Sequence, residues 1–175
     1  MKSNPGGKLE SIYDEVVKQS RSLGANGIRM VHLAEDYSAG EVEFYKLGDP
    51  LLEANELLTP GNTLYVFAGE KLDAADYHTF ECNGVSRSVK NGTYFTYALK
   101  EGEQIKLRKG TVAVTVMWVK WKPDARPTFI TIHGFHKEPV VKRTTQSPSV
   151  KPGKFNSVDI ELGKFLIQML DPSNQ

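Results

Sequence analysis

The chain has 175 residues, of which 39% are hydrophobic and 25% charged, and its 22 basic residues nearly balance its 21 acidic ones. This composition indicates a soluble globular chain that can bury a core, and it excludes a disordered or fibrous one. The balanced charge gives no overall positive field, so the sequence predicts no nucleic-acid partner. No apolar run is long enough for a transmembrane helix.

Cys82 is the single cysteine, which excludes an intramolecular disulfide and cysteine-rich zinc sites. The first eight residues lack the apolar core of a signal peptide, and their Ser-Asn-Pro-Gly-Gly composition resembles a tether after a cleaved export signal. We therefore expect a periplasmic or cell-envelope location if the chain is a mature fragment, and a cytoplasmic location otherwise.

Apolar residues recur at intervals of three and four over residues 9–23, which predicts an amphipathic helix with Gly24 as its left-handed C-cap. Residues 28–33 and 41–45 are typical of strands. These elements form a predicted N-terminal helix–strand unit over residues 1–48. The leucine-rich residues 51–58 indicate one or two further helical turns.

Short runs rich in β-forming residues follow from Thr59 onward, separated by turns that include Asn83-Gly84 and Asn91-Gly92. This spacing predicts an antiparallel β-sandwich over residues 49–140. The longest run, residues 112–121, is apolar on both faces and predicts a central strand covered on both sides. The helix of residues 9–23 is the expected cover on one side.

The C-terminal part begins with a polar, basic and proline-bearing stretch, so we predict a linker over residues 141–156. Residues 157–175 form a predicted C-terminal segment that docks on the core. Residues 158–170 fit either a hairpin turning at Gly163-Lys164 or a helix capped by Asn156 or Ser157. We favour the helix, whose apolar face would contain Val158, Leu162, Phe165, Leu166 and Met169. The predicted fold class is α+β.

Aromatic residues cluster in the predicted sheet and are the candidates for ligand binding. Four of them would stack on a sugar or a partner protein if they were exposed on one face, namely Tyr94, Tyr97, Trp118 and Trp121. Packing in the core is the commoner fate of such residues. A basic stretch of residues 137–154 would be the place to touch an anionic surface, although a solvated linker is its ordinary role.

The sequence contains no assembled catalytic or phosphate-binding motif. His133 and His136 are weak metal candidates, because residues three apart on a strand point to opposite faces. Only a bulge at Gly134 would bring the two side chains to one face. Cys82 and His78 fall on one strand face, which weakly allows a cysteine nucleophile with a base. We expect no cofactor.

Two segments resemble known families. The helix followed by Leu23-Gly24-Ala25-Asn26-Gly27 resembles the helix-to-strand element of small bacterial envelope and stress-associated domains. The Tyr65-Val66-Phe67 run, with the later Asn-Gly turns and Gly92-Thr93-Tyr94-Phe95, is similar to bacterial lipoprotein-type β-sandwich domains of unknown function. The resemblance implies an exported, non-catalytic module, with no family active-site residues. The sequence lacks a lipobox cysteine, so it does not imply that the given chain is anchored.

The function expected from these observations is a non-enzymatic, cell-envelope-associated binding or structural domain. One alternative is a carbohydrate- or small-ligand-binding sandwich that uses exposed aromatic residues, and a second is a metal- or cysteine-dependent hydrolase. The expected partner is another envelope protein or a saccharide.

Overall fold

The computed structural model describes residues 9–34, 40–68, 77–110, 114–133 and 155–173. They form an α+β fold, as the sequence predicts. The helices are α1 (Leu9–Leu23), α2 (Asp49–Leu57) and α3 (Ile160–Met169). The strands are β1 (Gly27–Leu33), β2 (Gly40–Tyr45), β3 (Thr63–Ala68), β4 (Tyr77–Cys82), β5 (Val85–Lys90), β6 (Thr93–Ala98), β7 (Gln104–Lys109), β8 (Thr115–Lys120), β9 (Thr128–His133), β10 (Asn156–Val158) and β11 (Asp171–Pro172). None of these helices is both long and apolar enough to cross a membrane.

Three layers pack on one another. The front sheet has the strand order β5-β4-β7-β8, and the central sheet has the order β10-β9-β3-β6-β11. Side chains from both sheets form one buried cluster, which includes Phe80, Ile105, Leu107 and Phe95. The β1–β2 hairpin, α1 and α3 form the third layer, and their apolar side chains share a second cluster with the opposite face of the central sheet. The fold therefore has a core on each side of the central sheet.

Strand β3 is covered by both of the other layers. All six of its residues are buried, and they alternate between the two clusters, with Leu64 and Val66 in one and Tyr65 and Phe67 in the other. The prediction of a doubly covered strand at residues 112–121 is wrong, because β8 is at the edge of the front sheet and exposes Trp118. Helix α1 accordingly covers the central sheet and not β8.

The turn after α1 confirms the C-cap expected at Gly24. This glycine has a φ of 62°, and its N–H donates to the carbonyl of Arg21. The Ala25 N–H donates to the Ser20 carbonyl, which completes a Schellman motif. The chain then enters β1, which pairs antiparallel with β2.

The two Asn-Gly turns have different roles. Asn83 and Gly84 both have positive φ and join the paired strands β4 and β5, as a type I′ hairpin requires. Asn91-Gly92 does not close a hairpin, because the strands on either side of it, β5 and β6, belong to different sheets. The central sheet also departs from a purely antiparallel pattern, since β3 pairs parallel with β9, and β11 parallel with β6.

The C-terminal segment contains the helix that we favoured, and the hairpin alternative is wrong. Leu162, Phe165, Leu166 and Met169 are buried on one face of α3. The cap is Asp159, whose side chain accepts the Leu162 N–H. The expected caps were wrong because Asn156 and Ser157 belong to β10, which pairs with β9. Val158 also belongs to β10 and is therefore not part of the helix.

The proposed division into residues 1–48, 49–140, 141–156 and 157–175 stays a prediction. Residues 141–154 of the predicted linker lie outside the described residues. Phe155 is buried in the cluster between the two sheets, and Asn156 starts β10.

Candidate binding surface on the front sheet

The front sheet has one buried and one solvent-facing side. In β7 the residues Ile105 and Leu107 are fully buried, while the alternating Gln104, Lys106 and Arg108 are exposed. The register with β8 places further exposed side chains on the same outer side, namely Val116, Trp118 and Lys120. We call Lys106, Arg108, Val116, Trp118 and Lys120 the outer face.

Trp118 is the main apolar feature of the outer face. Its side chain is 57% exposed, and Val116 beside it is 44% exposed. The Lys106 ammonium lies over the indole, 5.4 Å from the ring centroid. This cation–π contact orients the ring and places a positive charge next to an exposed apolar surface.

The charges of the outer face are mostly unpaired. Arg108 forms an ion pair with Glu81 of β4 at 3.5 Å. Among the described residues, Lys106 and Lys120 have no carboxylate within ion-pair distance. The surface around Trp118 therefore carries an excess of positive charge, although the chain as a whole is close to neutral.

A shallow cleft opens next to the outer face, where β4 and β7 separate. These strands pair only at Glu81–Arg108 and Cys82–Leu107. The cleft has a volume of about 400 Å³, and its lining residues are Tyr77, His78, Thr79, Phe80, Glu81, Ser86, Arg108, Lys109 and Gly110. The Lys109 ammonium donates to the Ile132 carbonyl at 2.6 Å, and burial lowers the pKa of this lysine. The cleft is thus lined by the Arg108–Glu81 ion pair and by a partly buried lysine.

The four aromatic residues predicted to bind a ligand lie in three different places. Trp118 belongs to the outer face. Tyr94 is half-buried on the opposite side of the central sheet, where its ring lies 5.8 Å from that of Phe67. Tyr97 and Trp121 pack against the cluster between the two sheets. The structure therefore does not bring the four together, and their role in ligand binding stays a prediction.

Cys82 and His78 do not form a nucleophile–base pair. Both are on the inward face of β4, but they are four positions apart along the strand, or about 13 Å, with Phe80 between them. Cys82 is only 3% exposed, and burial raises the pKa of its thiol although Arg87 acts in the opposite direction. His78 Nε2 is 2.7 Å from Asn91 Oδ1. This arrangement suits a packed thiol better than a reactive one.

The structure does not describe the side chain of either candidate metal ligand. His136 lies outside the described residues, as does the basic stretch of residues 137–154, and His133 is the last residue of β9 with its side chain not described. Among the side chains that are described, no group of three histidine, cysteine, aspartate or glutamate residues is placed to hold a metal ion.

No motif in the sequence marks the cations of the outer face as binding residues. The informative pattern was the alternation of polar and apolar residues over residues 104–108, which places Lys106 and Arg108 on one side of a strand. Their proximity to Trp118 depends on the pairing of β7 with β8, which the local pattern does not specify.

Comparisons with protein-family models, with curated proteins and with solved structures find no match for this chain. Its function is therefore inferred from its own residues. The outer face is a described surface on which an exposed aromatic side chain and unpaired cations lie side by side.

Proposed function

We propose that the chain is a non-enzymatic binding domain of the cell envelope and that it binds an acidic partner protein through the outer face. The observation that carries the proposal is the exposed Trp118 ring with Val116 on one side and Lys106 above it. The resemblance to lipoprotein-type sandwich domains supports the envelope location. The balanced overall charge argues against a nucleic-acid partner.

The energetic reasoning starts from the exposed apolar area. Tryptophan is enriched among residues that dominate binding free energy, because its large rigid surface loses little conformational entropy on association. Water leaves Trp118 and Val116 when a partner covers them, which is favourable. Lys106 and Lys120 then favour partners that carry carboxylates, and they disfavour basic ones.

A saccharide partner is the second candidate, and the exposure of Trp118 favours it too. A sugar ring would stack on the indole, and an acidic sugar would meet Lys106 and Lys120. However, the Lys106 ammonium already covers one face of the indole, so a sugar stacking there would have to displace it. For this reason we rank the acidic protein surface first.

Binding titrations of the full chain test the choice of partner. The probes are a soluble glutamate-rich peptide, polygalacturonate as an acidic polysaccharide, dextran as a neutral one, and single-stranded DNA. We expect saturable binding of the peptide, weakened about tenfold or more by Trp118→Ala and by the double substitution Lys106→Gln/Lys120→Gln. Leu51→Ala and Lys46→Gln change an exposed leucine and an exposed lysine elsewhere and serve as controls.

Each outcome of the titrations has a defined meaning. Binding of polygalacturonate without binding of the peptide would replace the protein partner with the saccharide. Peptide affinity that is unchanged by Trp118→Ala and the lysine double variant, or binding of DNA alone, would overturn the proposed function. Recovery of the full-length gene product only in the cytosolic fraction of its native cells would overturn the envelope location.

A further inference from the structure

Among the described strands, β8 has a partner on only one of its two backbone edges. It pairs with β7 alone, and it is the last strand of the front sheet. Within the described part of the chain, no other backbone group donates to or accepts from the free edge of residues 115–120. Such an edge is a template for a further strand.

The hydrogen bonds of β7 define which residues of β8 point to this free edge. Lys106 exchanges its backbone hydrogen bonds with Asn83 on the β4 side, through the Asn83 N–H at 2.9 Å and the Asn83 side-chain oxygen at 2.8 Å. The Lys106–Trp118 pair is therefore a non-hydrogen-bonded pair of the antiparallel ladder. It follows that the N–H and C=O groups of Val116, Trp118 and Lys120 point away from β7.

The other edges of the two sheets are less suited to accept a strand. The central sheet ends in β10, with three residues, and in β11, with two. The other edge of the front sheet is β5, which lies against β6 of the central sheet. Strand β8 has six residues, and its alternate side chains Val116 and Trp118 are exposed.

We infer that the free edge of β8 receives an extended acidic peptide segment as an additional strand of the front sheet. This inference rests on the proposed function and specifies how the partner binds. Backbone groups of the segment pair with those of Val116, Trp118 and Lys120. Its inward side chains are apolar and extend the half-buried row of Thr115, Met117 and Val119, while its outward carboxylates lie near Lys120 and Lys106.

A second copy of this chain would fit the free edge of β8 less well, because both copies carry positive side chains there. Edge-to-edge pairing of two β8 strands would bring two sets of Lys106 and Lys120 onto one continuous face without compensating carboxylates. Strand β2 does contain the alternation Glu41-Val42-Glu43, but Arg29 and the Tyr45 hydroxyl already bind Glu43. A partner segment with free carboxylates fits the edge better.

The test separates the backbone edge from the outer face. Val116→Pro removes the outward N–H without removing a hydrogen bond to β7, and proline is tolerated at such edge positions. Val116→Ala is the matched control, because it truncates the side chain but keeps the N–H. The probe is a peptide of about eight residues that alternates valine with glutamate, and a second version carries N-methyl groups on alternate residues.

We expect Val116→Pro to weaken peptide binding about tenfold or more relative to Val116→Ala, with an unchanged urea midpoint, and we expect the N-methylated peptide not to bind. The opposing result is that Trp118→Ala and the lysine double variant abolish binding while Val116→Pro and N-methylation leave it intact. That result would support binding through the outer face and overturn the addition of a strand to β8. A dimer of this chain that the peptide does not dissociate, measured by light scattering, would overturn it in favour of a second copy.

Discussion

The Tyr97 hydroxyl donates to Glu103 Oε1 at 2.7 Å, and the other carboxylate oxygen of Glu103 accepts the Lys100 N–H at 2.8 Å. These contacts join the end of β6, in the central sheet, to the turn that leads to β7, in the front sheet. The hydrogen bonds from Tyr97 and Lys100 lower the pKa of Glu103 below its ordinary value of 4.5. The bond to Glu103, together with burial, raises the pKa of Tyr97 above 10.0.

The Tyr97–Glu103 pair predicts a pH dependence of stability at both ends of the scale. Because the folded pKa of Glu103 is depressed, its contribution is present above pH 4.5 and is lost as the pH falls through the folded pKa. The contribution of Tyr97 is present below pH 10.0 and is lost as the pH rises through its raised pKa. Urea unfolding of Glu103→Gln should show smaller losses at both ends. Glu101→Gln, in the same turn, is the control, and identical pH profiles for the two variants would contradict the prediction.

Asn62 should be a sensitive position, because it has a φ of 52° and also binds a distant loop. Its amide nitrogen donates to the Lys122 carbonyl at 2.8 Å, and its side-chain oxygen accepts the Lys122 N–H at 3.0 Å. We expect Asn62→Ala to lower the free energy of unfolding by about 2–3 kcal/mol, because it loses both bonds and strains the backbone. Asn62→Gly tolerates the positive φ, so it should cost less. An equal or larger loss for glycine would show that φ is not part of the effect.

Gly163 lies in the middle of α3, where alanine would ordinarily be the better helix former. A Cβ at this position would overlap the Phe129 ring on β9. We expect Gly163→Ala to lower the free energy of unfolding by about 1–3 kcal/mol, because the overlap outweighs a propensity gain of at most about 1 kcal/mol. Gln168→Ala, on the exposed side of the same helix, is the control for propensity. The double variant Gly163→Ala/Phe129→Leu should lose less than the sum of its single variants, and strict additivity would argue against the overlap.

Cys82 should behave as a packed thiol. Its exposure is 3%, and burial raises the pKa of the thiol. We expect iodoacetamide to modify it slowly at neutral pH in the folded protein and rapidly in urea, because the reactive thiolate is disfavoured in the core. Rapid labelling of the folded chain, at the rate of a free thiol, would contradict this expectation and reopen the cysteine-hydrolase alternative.

Local sequence was sufficient wherever neighbouring residues control the backbone. The periodicity of α1 and the left-handed Gly24 depend on contacts within one or two turns, and both were predicted correctly. The hairpin at Asn83-Gly84 follows from the positive φ that both residues adopt. In β7 the local alternation separates the apolar Ile105 and Leu107 from the polar Lys106 and Arg108, but only the fold decides which side is buried.

Tertiary structure alone decided which strand lies in the middle and which lies at an edge. Residues 63–68 and 115–120 are both rich in β-forming residues, yet β3 is buried on both faces and β8 exposes Trp118. The difference arises because β3 has β6 and β9 as neighbours and a helical layer behind it, whereas β8 pairs with β7 alone among the described strands. Strand order is a property of long-range pairing. Composition alone shows that the net charge of the whole chain is close to zero. The positive outer face, by contrast, exists only because strand pairing brings Lys106 beside Trp118.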